Sequence, residues 1–264
     1  MTMRCNLPDV QSRDDSRGIV LKAGVSRVKL PIRIEDSLLS SSSVMGSFSA
    51  FVELPATQKG VNMSRFAQVL REFAEVQVVN RVTMLELAAK LKSRHESSRY
   101  AGVTIRFECV ENKLAPATDN GGPIPIEVAV EAEQLEDKKA FYQSISVGVM
   151  TVCPCSLEMS GNTHAHNQRA IVELRCLAKE WIPISELSLM ARKGSGDLHF
   201  VLKRPDEKAV VAEAFQNPKF VEDVVRDVSL AVDADERVEH YSVVVRSMES
   251  IHPYDCVGLV DSWE

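Results

Sequence analysis

Ser64–Gln77 reads SRFAQVLREFAEVQ, with Phe66, Val69, Leu70 and Phe73 recurring at three- and four-residue intervals. That spacing places all four on one face of an amphipathic helix. The segment interrupts a different pattern. On its N-terminal side, residues 17–34 and 44–54 are rich in Val, Ile, Leu and Phe with polar residues interleaved. They are expected to be two strands joined across the polar run Ser40–Ser43. On its C-terminal side, Thr83-Met-Leu-Glu86 has the form of a capping box, and Leu87 and Leu91 continue a second helix to about His95. Strands are expected again at 100–111, 124–134 and 140–152, the last two joined by the Glu136–Lys139 turn. Strands, a helix pair and more strands make an α+β unit.

The loop Ala115–Pro123, with its Asn-Gly-Gly-Pro, is the expected boundary between two halves, 1–118 and 119–264. The second half repeats the recipe. Arg169–Leu177 alternates as a strand, and Pro183–Arg192 followed by Gly194 has the proline start and glycine stop of a helix. His199–Lys203 is expected as a short strand. Asn217-Pro218 is expected to cap a helix whose apolar stripe is Val221, Val224, Val225 and Val228, and 238–248 is expected as the last strand.

A chain of 264 residues with 45% hydrophobic content can bury a sizeable core. No apolar run approaches the ~20 residues that cross a bilayer. Met1–Asp15 lacks the apolar centre of a secretory signal, so the expected location is the cytoplasm. Net charge is -6, from 31 basic and 37 acidic residues, with no basic stripe, which argues against nucleic-acid binding. A polyanionic substrate would therefore need a local pocket of Lys and Arg. Six scattered cysteines do not make a disulfide framework. Cys109 and Cys176 lie in apolar strand-like runs and read as core thiols; Cys5 lies in the N-terminal tail.

The strongest chemical signal is Cys153-Pro-Cys-Ser156, followed thirteen residues after Cys153 by His166, within Thr163-His-Ala-His-Asn-Gln-Arg169. This reads as a loop carrying thiols and imidazoles at strand ends, ligand types that Zn²⁺ and related ions prefer. Buried thiols with solvated histidines, or a Cys153–Cys155 redox pair strained by the intervening proline, are the alternatives. A second cluster is Leu202-Lys-Arg-Pro-Asp-Glu207 with Asn217-Pro-Lys-Phe-Val-Glu-Asp223. Glu222 falls in the first turn of a helix, where the dipole favours carboxylates. Lys203, Arg204 and Lys219 are either phosphate contacts or a solvated patch. The third piece is Glu249-Ser-Ile-His252, whose histidine is an acid–base group, a ligand or a surface residue.

Together these pieces resemble the prokaryotic type IB GTP cyclohydrolases. Asp9-Val-Gln-Ser12 and Lys59-Gly-Val-Asn-Met-Ser-Arg-Phe66 join Cys153–Ser156, His166–Arg169, Leu202–Glu207, Asn217–Asp223 and Glu249–His252, seven pieces in order along nearly the whole chain. The resemblance implies a tunnelling fold: two antiparallel-sheet units per chain, each with helices on one face, assembling as a homotetramer into barrels with active sites at subunit boundaries. It implies a divalent metal ion (Zn, Mn or Fe) held by Cys153, His166 and Glu207, with Cys153 and His252 catalytic. It implies that Glu222 anchors the guanine edge, with Arg65, Arg169, Lys203 and Arg204, and Lys59 beside them, as candidate contacts to GTP. The implied reaction converts GTP and water to 7,8-dihydroneopterin triphosphate and formate. A cyclohydrolase releasing another pterin, or a non-catalytic paralogue holding a purine or a metal, are the rival readings. The sequence departs from the family pattern at Leu157, where lysine is expected, and at Asn62, where histidine is expected. One extra residue lies between Cys153 and His166, with His164 as a second imidazole. The tail reads Ile251-His-Pro-Tyr-Asp255 in place of Ile-His-Asn-His.

Overall fold

Phe66, Val69, Leu70 and Phe73 form the buried face of α1 (Met63–Val76), as their spacing demands. The computed structural model describes residues 10–36 and 43–263. Cys5, Asp9 and Ser40–Ser42, on which expectations fall, lie outside them. The described residues form nine strands and six helices. In chain order these are β1 (Leu21–Arg33), β2 (Ser43–Leu54), α1, α2 (Arg81–Arg94), β3 (Tyr100–Leu114), β4 (Gly121–Leu135) and β5 (Lys138–Val152). Then come α3 (Pro154–Met159), β6 (Asn167–Ala178), α4 (Ile184–Ala191), β7 (Gly196–Asp197), α5 (Arg204–Gln216), α6 (Val221–Asp233), β8 (Val238–Met248) and β9 (Cys256–Asp261). The hydrogen-bonded strand order is β1-β2-β3-β4-β5-β6-β8-β9, with β7 paired to β5 off this path. The β5–β6, β6–β8 and β8–β9 ladders are antiparallel. The class is α+β.

Two compact units interleave along the chain. The first comprises the described residues through Arg33, then Met45–Ile105 and Glu131–Phe141. The second comprises the described part of Ile34–Val44, Arg106–Val130 and Tyr142 onward. Residues 118 and 119 both fall in the second. In the first unit, α1 and α2 pack together and α1 packs on β1. In the second, α6 packs on β8 and β9 and buries Val224, Val225, Val228 and Val232; of the expected stripe, Val221 is only half-buried and Val232 extends the face by a turn. Every second residue of β6 from Ala170 to Ala178 is buried, including Cys176. Burial pushes the thiols of Cys109 and Cys176 up to about 12, so both are inert core groups.

Several local expectations are corrected. The cap of α2 is Asn80, not Thr83. Asn80 Oδ1 accepts from the Thr83 N–H at 3.0 Å, and Thr83 Oγ1 accepts from the Asn80 N–H at 3.1 Å. Starting there lets Met84, Leu87, Ala88 and Leu91 share one buried face. His199–Lys203 is not a strand. The strand is β7, pairing Gly196 and Asp197 with Met150 and Val149, because the Lys203 N–H is spent on the Asp206 carboxylate that starts α5. Asn217 ends α5 instead of beginning α6; its N–H donates to Glu213 O and its Nδ2 to Gly194 O. The linker stays extended so that the Lys219 N–H can reach Val152 O at 3.0 Å, and Phe220 is the N-cap of α6. Strand β8 is followed by β9, and Cys153–Ser156 opens the short helix α3 instead of a loop, with Cys153 as N-cap and Pro154 in the first turn. In that turn Cys155 is exposed.

Candidate functional site

The site grows from the open end of the β5–β6 ladder. The register runs Val149↔Ala170, Thr151↔Gln168 and Val152↔Asn167. One step further, the Cys153 N–H donates to His166 O at 3.1 Å. Directly opposed residues of an antiparallel pair have Cβ atoms roughly 4.5–5.5 Å apart on one face. Cys153 and His166, thirteen residues apart in sequence, are thereby brought side by side, in line with the buried row of Val149, Thr151 and Ala170. Ser156 locks the pair: its Oγ accepts from the His166 N–H and donates to Cys153 O, both at 3.2 Å.

The segment between them is built to turn. Gly161 and Asn162 take positive φ of 68° and 61°, and Ser160 Oγ accepts from the His164 N–H at 2.9 Å. Leu157 is 6% exposed, so this position of α3 is part of the core, where a lysine would be costly. The two imidazoles separate clearly. His164 is exposed, with Nδ1 2.7 Å from Thr163 Oγ1. His166 is half-buried, with Nδ1 3.1 Å from Gln168 Oε1 and 3.4 Å from Ser250 Oγ. Ser250 belongs to the β8–β9 connection, which also carries His252. That ring is exposed and stacks on Tyr254 at 5.0 Å and 9°, so the unusual tail supplies the histidine with an aromatic neighbour.

The Lys219–Val152 bond brings the linker into α6 to the same strand end. Glu222 sits exposed in the first turn of α6. It lines a groove of about 600 Å³ with Val225, Leu230, Leu259 and Val260. Gly258 admits this approach of β9 to α6, since a Cβ there would meet Val225 Cγ2 at 3.0 Å. At the head of β9 the Cys256 thiol is pushed up by burial and by the Glu249 and Glu222 carboxylates.

Glu207 is exposed in the first turn of α5. Among the described residues, no three His, Cys, Asp or Glu side chains converge to hold a metal. The structure thus joins Cys153 to His166 and leaves Glu207 outside that pair. A thiol opposite an imidazole whose Nδ1 faces an acceptor is a donor pair that fits a borderline metal ion. Lys203 and Arg204 are exposed at the start of α5, and Arg169 is exposed on β6. In the first unit, Arg65 donates to Arg94 O at 2.8 Å and lines a polar cavity of about 590 Å³ with Ser12, Gln58, Asn62 and His95.

Residues 7–258 match the family model described as type I GTP cyclohydrolase folE2. The chain belongs to that family. It is similar to the GTP cyclohydrolase FolE2 of Syntrophobacter fumaroxidans, 37% identical over 259 residues that cover 96% of this chain and 98% of the relative. The FolE2 proteins of Halorhodospira halophila and Thermotoga petrophila are each 35% identical, covering 97% of this chain and 98% and 97% of their own lengths. Among solved structures, the uricase of Arthrobacter globiformis aligns with a TM-score of 0.55 at 8% identity, over 92% of both chains. The urate oxidase of Bacillus subtilis 168 aligns with a TM-score of 0.53 at 7% identity, over 91% of this chain and 98% of that one. At such identities the likeness is one of fold. No helix among the described residues is long and apolar enough to cross a membrane.

The residues that hold the site of this family member in place carry no chemical signal of their own in the sequence. Ser156, Gln168 and Ser250 lie inside motifs quoted for their neighbours. Asp206, beside Glu207, is fully buried. Burial opposes its charge. The Lys203 N–H, the Thr118 hydroxyl and the Ala117 N–H, at 2.8, 2.8 and 3.0 Å, outweigh burial and hold the carboxyl below its usual range. A lowered folded-state pKa stabilises the fold above the unfolded value and is lost as pH falls through the folded one. The difference in thermal midpoint between wild type and Asp206→Asn is therefore expected to be largest above about pH 5 and to shrink below ~3.9. A difference that grew on acidification would contradict this.

Proposed function

We propose that this chain is a metal-dependent GTP cyclohydrolase of type IB. It converts GTP and water to 7,8-dihydroneopterin triphosphate and formate, the first step of tetrahydrofolate biosynthesis. The observation that carries the reading is the pairing of Cys153 with His166 at the end of β5, in a chain whose family match runs from 7 to 258. C8 of guanine is a weak electrophile. A divalent ion held by Cys153 and His166 would supply the Lewis acidity that makes water nucleophilic near neutral pH; Glu207, outside that pair in this structure, would have to move in to serve as the third ligand. Addition of water at C8 opens the imidazole ring to a formamide, a second hydrolysis releases formate, and ribose rearrangement with dehydrative reclosure, which returns one water, gives the dihydropterin.

The residues divide the remaining work. Glu222 accepts from the ring N–H and the 2-amino group of guanine in a bidentate arrangement. His252 and the Cys153 thiol transfer protons, steps typically worth ~10²–10⁴ each in rate. Arg65, Arg169, Lys203 and Arg204 contact the nucleotide. The chain carries two tunnelling-fold units. The cytoplasmic enzyme is a homotetramer of barrels in which subunit boundaries complete the sites. Sheet edges are then covered by pairing between copies.

The test is formate released from GTP after chelation and resupply of Mn²⁺ or Zn²⁺. One formate per GTP is expected. No formate under any metal would refute the assignment.

A further inference from the structure

His166 is the only histidine of the Thr163–Arg169 segment whose ring is held from two sides. Gln168 lies two residues along β6, so its side chain emerges on the same face of the sheet as that of His166. Its Oε1 is 3.1 Å from His166 Nδ1. Ser250 Oγ approaches the same nitrogen at 3.4 Å from the β8–β9 connection. A carboxamide oxygen only accepts, so this contact is a hydrogen bond when Nδ1 carries the ring proton. The lone pair is then on Nε2. Ser156 meanwhile fixes the backbone of His166 and of Cys153.

We propose that Gln168 and Ser250 are positioning residues that hold His166 as its Nδ1–H tautomer, so that Nε2 is the ligating atom. The inference rests on the metal-dependent reading above. Gln168 supplies the main contact, being closer. Ser250 ties the same ring to the connection that carries His252, two residues on. The exposed His164 ring meets only the Thr163 hydroxyl, 2.7 Å from its Nδ1, and a hydroxyl that can donate or accept does not fix the tautomer as a carboxamide oxygen does. Removing a partner of this kind typically lowers metal affinity 10–100-fold.

Two measurements test this. In metal-free, ¹⁵N-labelled protein at about pH 8, where free imidazole is neutral, ring-nitrogen shifts report the tautomer. The His166 signals are assigned by their loss in His166→Asn. Wild type is expected to carry the proton on Nδ1, and Gln168→Leu to lose that preference. In parallel, Zn²⁺ affinity is measured by competition with a chelator. It is expected to fall roughly 10–100-fold in Gln168→Leu, less in Ser250→Ala, and to be retained in Gln168→Glu, which keeps an acceptor. A wild-type His166 protonated on Nε2 would overturn the inference. So would Gln168→Leu with unchanged tautomer and unchanged affinity. Either result leaves the metal reading standing. If wild type binds Zn²⁺ no more tightly than Cys153→Ala, the metal reading itself fails, and Gln168 orients no ligand.

Discussion

Formate release from GTP is expected to fall at least ~10³-fold in Cys153→Ala, about 4 kcal/mol of barrier, while the protein stays folded and binds nucleotide. The folded state survives because the structural bonds of Cys153 are made by its backbone. Its N–H donates to His166 O, and its carbonyl accepts from the Leu157 N–H and the Ser156 hydroxyl. Only the thiol is lost, and with it one of the two donors that the strand end brings together. An imidazole alone does not make an open metal site of about three protein ligands. Steady-state formate assays, with circular dichroism to show the fold, check the outcome. Turnover near the wild-type rate would remove Cys153 from the chemistry.

Glu222→Ala is expected to lose nucleotide affinity instead, by roughly 100-fold. Two charge-assisted hydrogen bonds, worth about 1.5–3 kcal/mol each, are removed, and ~3 kcal/mol is two decades in Kd. The helix itself does not need Glu222. Asp223 accepts from the Phe220 N–H at 3.1 Å and pairs with Arg226 at 2.9 Å, so the start of α6 persists. Thermal stability should move by no more than about 0.5 kcal/mol, as for an exposed surface change. Equilibrium binding of GTP to both variants decides the matter. Equal loss of affinity in Cys153→Ala and Glu222→Ala would contradict the division of labour.

Much of the first unit was legible. The face of α1 and the buried Leu87 and Leu91 of α2 follow from apolar spacing; in the second unit, Cys109 and Cys176 declare themselves by lying in apolar runs. Helix α5 was not legible, because among its described residues only Asp206 is buried and there is no apolar stripe to detect. Strand β9 was missed for a related reason. Its residues alternate between exposed and half-buried, with Gly258 in the middle, and it is a strand because the edge of β8 pairs with it. The Asn217-Pro218 pair carries a genuine helix-start signal, yet the tie between Lys219 and Val152 moves the start to Val221. Local propensity yields there to one long-range hydrogen bond.

The residue types of the site, and the family they resemble, were set by the order of short motifs, since thiol, imidazole and carboxylate chemistry is a property of side chains. Which of them meet was decided by strand register. The β5–β6 ladder sets Cys153 opposite His166, and Gln168 and Ser250 approach the His166 ring while His164 is exposed. Spacing along the chain cannot supply this, because a hairpin brings residues together by hydrogen-bonded pairing counted from both ends, whatever the length of the loop between them.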